Sequence, residues 1–205
     1  MDPSEAIHAY ETLPLFGVGI ALGLWLVGLH ALMLVKADAV KGFLKKFPRN
    51  QQLGQILVGV GLIWFWLIVQ PEGKGFINSL AMDLGDQFNA LKPYLRIGVP
   101  VAIILVSISI KEFLAVRALG LLGLMVAAPL LESAFLKDPS SRLLVPIFAY
   151  ALIIKSLYWV GMPYLFRDSV AWATATDGRW KALCFGGLAY GVAVLACALM
   201  FWRGY

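Results

Sequence analysis

Charge is what this chain has least of, and the shortage decides its solvent. Only 14% of the 205 residues are Asp, Glu, Lys or Arg, against 60% hydrophobic, where soluble domains average about 25% and about 45–50%. A water-soluble fold of this length could not bury so much apolar surface. Cysteine is scarce too: Cys184 and Cys197 form neither a CxxC pair nor a metal-ligand cluster. Thirteen residues apart on one helix, they would lie roughly 20 Å apart, too far to bridge, and they read as small membrane-helix residues. HExxH, GxSxG and the phosphate-binding P-loop are all missing. Soluble-type catalysis has no support, and the chain is expected not to be an enzyme. The opening MDPSEAIHAYE is acidic where a signal peptide needs a basic start, and the apolar run behind it is too long for a cleaved leader, so the first span is expected to be retained.

What is present is a series of long apolar runs. No alternating pattern suggests a closed barrel, and in lipid every other segment must satisfy its backbone within a helix. The fold class is therefore all-α, a polytopic transmembrane bundle of about six spans in one domain, 1–205. The spans are placed at Leu13 to Val35, Leu53 to Val69, Tyr94 to Ile110, Phe113 to Phe135, Leu143 to Phe166 and Trp180 to Trp202. Each approaches the ~17–25 residues a hydrocarbon core requires. Between the second and third lies PEGKGFINSLAMDLGDQFNALKP, where Phe76, Ile77, Leu80, Leu84, Phe88 and Leu91 recur at helical spacing. That segment is expected to be amphipathic, on the outer leaflet or against a partner.

Orientation follows from the basic residues. Ten Lys and Arg, among them Lys36, Lys41, Lys45, Lys46 and Arg49, fall on one side of this topology and six on the other, with Lys155 left inside a span. The richer side is expected to be cytoplasmic, which puts both termini outside in a bacterial-type inner membrane. The net charge of +5 is then an orientation signal, and nucleic acid is not an expected partner. Aromatics such as Trp64, Trp66, Trp180 and Trp202 gather near span ends, as interfacial belts do; Tyr158 and Trp159 fall too deep for that account.

A few residues stand out from the apolar background. Gly19 and Gly23 in the first span, and Gly187 and Gly191 in the last, form GxxxG pairs that let helices approach closely. His30, near the cytoplasmic end of the first span, is a structural histidine or else the single ligand of a pigment or a proton relay. Arg117 can snorkel to the cytoplasmic interface. Glu132, three residues after Pro129, is expected to pair with Arg142 or Lys137. Lys155 sits near the middle of the fifth span as drawn, about 18 Å from one end and about 16 Å from the other, beyond easy reach of either interface. It is the strongest intramembrane polar candidate.

These features point to a non-catalytic membrane subunit that assembles with, or borders, a larger complex, with lipid and other membrane subunits or further copies as partners. Two alternatives belong to other classes. One is a small transporter or channel with a path near Lys155, Glu132, Ser107 and Ser109; the other is a quinone- or pigment-binding protein using His30 and Lys155.

Overall fold

The computed structural model describes residues 10, 12–71, 80–82, 86–109 and 113–205, apart from the side chains of 86, 103, 104 and 106–109. The described elements are helices: α1 (Leu15–Val35), α2 (Ala37–Lys46), α3 (Gln51–Ile68), α4 (Asp86–Asn89), α5 (Lys92–Ser109), α6 (Leu114–Ala134), α7 (Leu144–Gly161), α8 (Tyr164–Thr174) and α9 (Asp177–Phe201). Short 3-10 turns at Phe47–Arg49 and Ser140–Leu143 lead into α3 and α7. Among the described residues five helices are long and apolar enough to cross a membrane: α1, α3, α6, α7 with its lead-in, and α9. This is a helical membrane protein.

The sixth expected span, Tyr94 to Ile110, corresponds to α5, which is not among these five. The start of α3 lies beside the start of α6, since a Cβ on Gly54 would stand 2.8 Å from the Ala115 nitrogen. These two helices therefore run the same way. The far end of α3 holds the start of α5, where the Trp66 indole donates to the Arg96 carbonyl at 3.1 Å. Helix α5 thus carries the chain back towards α6. The expected end of this span, Ile110, and the Lys111–Glu112 link lie outside the described residues. So does most of the amphipathic segment before it, including Phe76, Ile77 and Leu84; the described part includes the single turn α4, with Phe88 and Leu91 exposed.

Small residues set the packing. In lipid, helices gain little from hiding apolar surface from one another, so close van der Waals fit and hydrogen bonds hold them together. Helices α1 and α9 form the tightest pair, α6 and α7 the next, and α3 lies against α6. Phe16 donates its backbone N–H to the Tyr205 carbonyl at 3.3 Å, so the described beginning and end of the chain share one end of the bundle. There Leu15 and Leu22 of α1, Leu130 of α6, Val145 of α7 and Trp202 after α9 form one buried core. Indole N–H groups at this end find partners, Trp202 on Ser141 Oγ at 2.9 Å and Trp64 on Tyr10 Oη at 2.7 Å, as interfacial aromatics do.

The opposite, basic end is built differently, and here the structure departs from the span drawn to Phe166. Helix α7 stops at Gly161. Met162 takes φ −129° and ψ 68°, outside the helical region, because the ring of Pro163 disfavours helix in the residue before it. The chain restarts as α8, whose Phe166 is buried in a ring cluster with Phe47 (5.5 Å between centroids) and Trp159 (5.4 Å). Helix α2, in the stretch read as a polar connection, packs beside α8. Its apolar Phe43 and Leu44 and basic Lys41, Lys45 and Lys46 make it an amphipathic helix that joins directly onto α1.

Candidate functional site: an interfacial pocket at the basic end

The break after α7 changes where Lys155 lies. It is one and a half turns from Gly161, about 9 Å along the axis, so an extended lysine stem brings the ammonium close to the layer occupied by α2 and α8. Lys155 is exposed, and no ion pair within 4 Å involves it among the described residues. The break also brings Trp159 and Tyr158 to the end of α7, so both lie near the end of the candidate span rather than in its middle.

Lys155 lines a cavity of about 650 Å³, within the ~300–1,000 Å³ usual for ligand sites. Three tryptophans border it, Trp159 of α7, Trp172 of α8 and Trp180 of α9, and Asp168 and Ser169 of α8 add polar groups beside the lysine. Each wall has a local cause. Trp180 is 3% exposed and fixed by its indole donating 3.1 Å to the Met33 carbonyl, one of the last four carbonyls of α1, which have no partner within the helix. Thr176 caps α9 by accepting the Arg179 N–H at 3.3 Å. Lys41 reaches from α2 to Asp177 at 2.7 Å and lies 5.5 Å from the Trp180 ring, while Arg179 stands 5.1 Å from the Trp172 ring. The rim is thus basic and aromatic. Asp168 is held by its neighbour Arg167 at 3.0 Å.

A second cavity of about 490 Å³ lies nearer the middle of the bundle, between α1, α6 and α7, and its lining is apolar throughout: Leu22, Trp25, Val126, Leu130, Phe148 and Leu152 among others. The two cavities follow one stripe of α7. Phe148 and Leu152 line the inner one, Lys155 and Trp159 the outer one, and residues spaced by three and four share a helix face. Helix α1 likewise contributes to both, through Leu22 and Trp25 to the first and Met33 to the second. No residue lines both cavities, but Leu152 and Lys155 are neighbours on one face of α7, so the two together make a crevice between the α1/α9 pair and the α6/α7 pair, apolar in its inner part and polar at its basic mouth.

The other sequence candidates separate into packing and surface roles. The two GxxxG pairs face each other: a Cβ on Gly23 would meet Leu195 and, at 3.1 Å, the Gly191 carbonyl, and one on Gly191 would stand 2.9 Å from Leu26 Cβ and 3.0 Å from the Val27 nitrogen. Gly19 receives the Trp202 ring and Gly187 the His30 ring. The His30 Nδ1–H donates to the Leu26 carbonyl at 2.7 Å, which leaves Nε2 pressed against the Gly187 backbone with no room there for an iron or magnesium ion. Arg117 is exposed one turn into α6. Glu132 is half-buried two residues from the end of α6, and among the described residues no ion pair joins it to Arg142 or Lys137. It stands at the terminal end, far from Lys155. The side chains of Ser107 and Ser109 lie outside the described residues. No group of three or more His, Cys, Asp or Glu residues capable of holding a metal occurs among the described residues.

The sequence reading missed a second small-residue seam. Gly120 and Gly123 of α6 lie against Ser156 and Val160 of α7, and a Cβ on Gly120 would stand 2.8 Å from the Ser156 carbonyl. The signal was a Gly-x-x-Gly spacing, one residue short of the motif looked for. No protein-family model matches the chain, and no curated protein or solved structure shows significant similarity to it.

Proposed function

We propose that this chain is a non-catalytic subunit that assembles with, or borders, a larger membrane protein complex in a bacterial-type inner membrane, with both termini outside. The supporting observation is the position of α5. It packs chiefly on α3, and Tyr94, Ile97, Val101 and Leu105, spaced by three and four residues, point away from the rest of the chain. Within that stripe Gly98 has no atom within 4 Å of where a Cβ would stand. A bare glycine amid bulky apolar side chains is a notch into which a neighbouring helix fits, since close backbone approach is what drives association in lipid. The test is purification of the tagged native protein in mild detergent. The expected outcome is a species well above 22.4 kDa that Gly98→Leu disperses; a homogeneous monomer in several detergents and in lipid nanodiscs overturns the reading. Orientation is tested separately with cysteines at Asp2 and Lys45 and a membrane-impermeant reagent, which is expected to label the first position and spare the second.

The transporter alternative draws less support. Between the levels of Lys155 and Glu132 the crevice is lined by apolar side chains, which offer an ion nothing in exchange for its hydration.

A further inference from the structure

We propose that the crevice between the α1/α9 and α6/α7 pairs is a binding site for one anionic phospholipid of the leaflet at the basic end, with an acyl chain in the apolar inner cavity and the phosphate on Lys155. The inference does not rest on the subunit reading and holds for a monomer as well as for a complex.

The shape fits an amphiphile. From Phe148 to Trp159 the lining stripe of α7 extends about 16 Å, with only apolar side chains around the inner 490 Å³ and a lysine at the start of the outer 650 Å³. A soluble polar ligand would leave the inner half empty, and a hydrocarbon would leave the ammonium with only Asp168, already paired with Arg167, as an anion in the cavity. Lys155 has the depth of a phosphate rather than of an acyl chain, because the α7 break after Gly161 sets it about 9 Å from the helix end. Tryptophans 159, 172 and 180 surround it at the level where indoles border lipid head groups.

Charge selects the head group. Directly after α1 come Lys36, Lys41, Lys45, Lys46 and Arg49, the kind of juxtamembrane basic cluster that gathers anionic lipid. The cluster adjoins the crevice: Leu44 and Val170 line both the outer cavity and a smaller notch of about 180 Å³ that holds Lys45 and Arg167. A phosphate on Lys155 would therefore have Lys45 and Arg167 in the adjoining notch, Arg167 being paired with Asp168. A zwitterionic lipid carries its own ammonium and would place it among these cations, which disfavours it.

The test is native mass spectrometry of the full-length protein after exchange into a delipidating detergent, with phosphatidylglycerol or phosphatidylcholine added back. Parent protein is expected to retain a single phosphatidylglycerol and to lose phosphatidylcholine. Lys155→Met, which keeps most of the stem, should weaken phosphatidylglycerol retention by about tenfold or more, the loss of one charge-assisted contact. Leu152→Trp should fill the inner cavity and lower retention of either lipid. Should that variant misfold, Ala21→Leu tests the same cavity from α1. Equal retention of the two lipids, unchanged phosphatidylglycerol in Lys155→Met, or retention of a free fatty acid in place of the phospholipid each overturns the proposal.

Discussion

At the end that holds Tyr10 and Trp202, four helices share one core and the indoles are fixed by hydrogen bonds; at the basic end helices α1, α7 and α9 border the outer cavity and are covered by the short amphipathic α2 and α8. The difference comes from residue size along the same helices. Gly19 and Gly23 bring α1 onto Trp202 and Leu195, and nearer the basic end the His30 ring seats on Gly187 and the Trp180 indole reaches the Met33 carbonyl. Close packing within the α1/α9 and α6/α7 pairs thus coexists with open space between the pairs, and the two divide stability from binding. A protein whose solvent is lipid cannot rely on apolar transfer to close every gap, so a gap persists wherever small residues give way to large ones.

The sharpest way to break this division is to remove the anchor of the closed end. Trp202 has no exposed surface, seats its ring on Gly19 and donates to Ser141. In soluble cores Trp→Ala costs about 3–5 kcal/mol, a transfer part plus a cavity part. In lipid the transfer part largely vanishes, so Trp202→Ala is expected to cost about 3 kcal/mol, read from denaturant titration in mixed micelles. The matching change at the open end, Trp172→Ala, removes a ring that is 54% exposed and should move the midpoint by less than about 0.5 kcal/mol. Equal effects would mean that the ends do not differ in kind.

A step smaller is the seam itself. A side chain on Gly191 would collide with the Leu26 Cβ and the backbone of Val27, neither of which can rotate away, so Gly191→Leu should destabilise by about 1–3 kcal/mol. Gly186, also on α9, has no atom within 4 Å of where its Cβ would stand. Gly186→Leu should leave the same titration unchanged, and a comparable loss there would show that α9 is generally intolerant rather than closely fitted along one face.

The sequence made the closed end legible and the open end much less so, for physical reasons. Long apolar runs and GxxxG spacing report directly on lipid and on helix approach, so the all-helical class and the membrane setting could be read from the sequence and Gly19, Gly23, Gly187 and Gly191 could be singled out; what each of them packs against needed coordinates. The open end depends on where a helix stops. Met162 and Pro163 carried that signal, but the apolar Tyr164, Leu165 and Phe166 beyond them matched a continuing span, and Lys155 was accordingly placed too deep. Helix α2 was hidden among lysines that counted only as an orientation signal. A cavity between helix pairs arises from contacts distant in sequence and leaves no local pattern.

That correction of depth is itself testable. A charged residue at a helix centre costs about 2.5–3.5 kcal/mol on insertion scales, whereas a lysine about 9 Å from the helix end can bring its ammonium to the interface. Lys155→Met should therefore change the measured insertion of the α7 segment by less than about 1 kcal/mol. A gain near the full central cost would restore the deep placement and remove the head-group contact from the lipid site.

The smallest expected effect lies where the two regimes meet. Ser156 is fully buried in the α6/α7 seam against Gly123, and its Oγ has no hydrogen-bond partner among the described residues. A hydroxyl without a partner in such a place is a cost, because removing it from water or from a head-group layer is not repaid by a contact. Rotation towards the carbonyl one turn back, the usual remedy for a helical serine, would move the oxygen off Gly123 and open the seam. Ser156→Ala keeps the Cβ that fills the groove and deletes only the orphaned oxygen. It is expected to raise stability by up to about 1 kcal/mol in the same titration, and to leave phosphatidylglycerol retention as it was, because Ser156 faces α6 while Lys155 faces the crevice. A loss of stability would mean that the hydroxyl is bonded within the seam, and a loss of lipid would mean that seam and crevice are not independent.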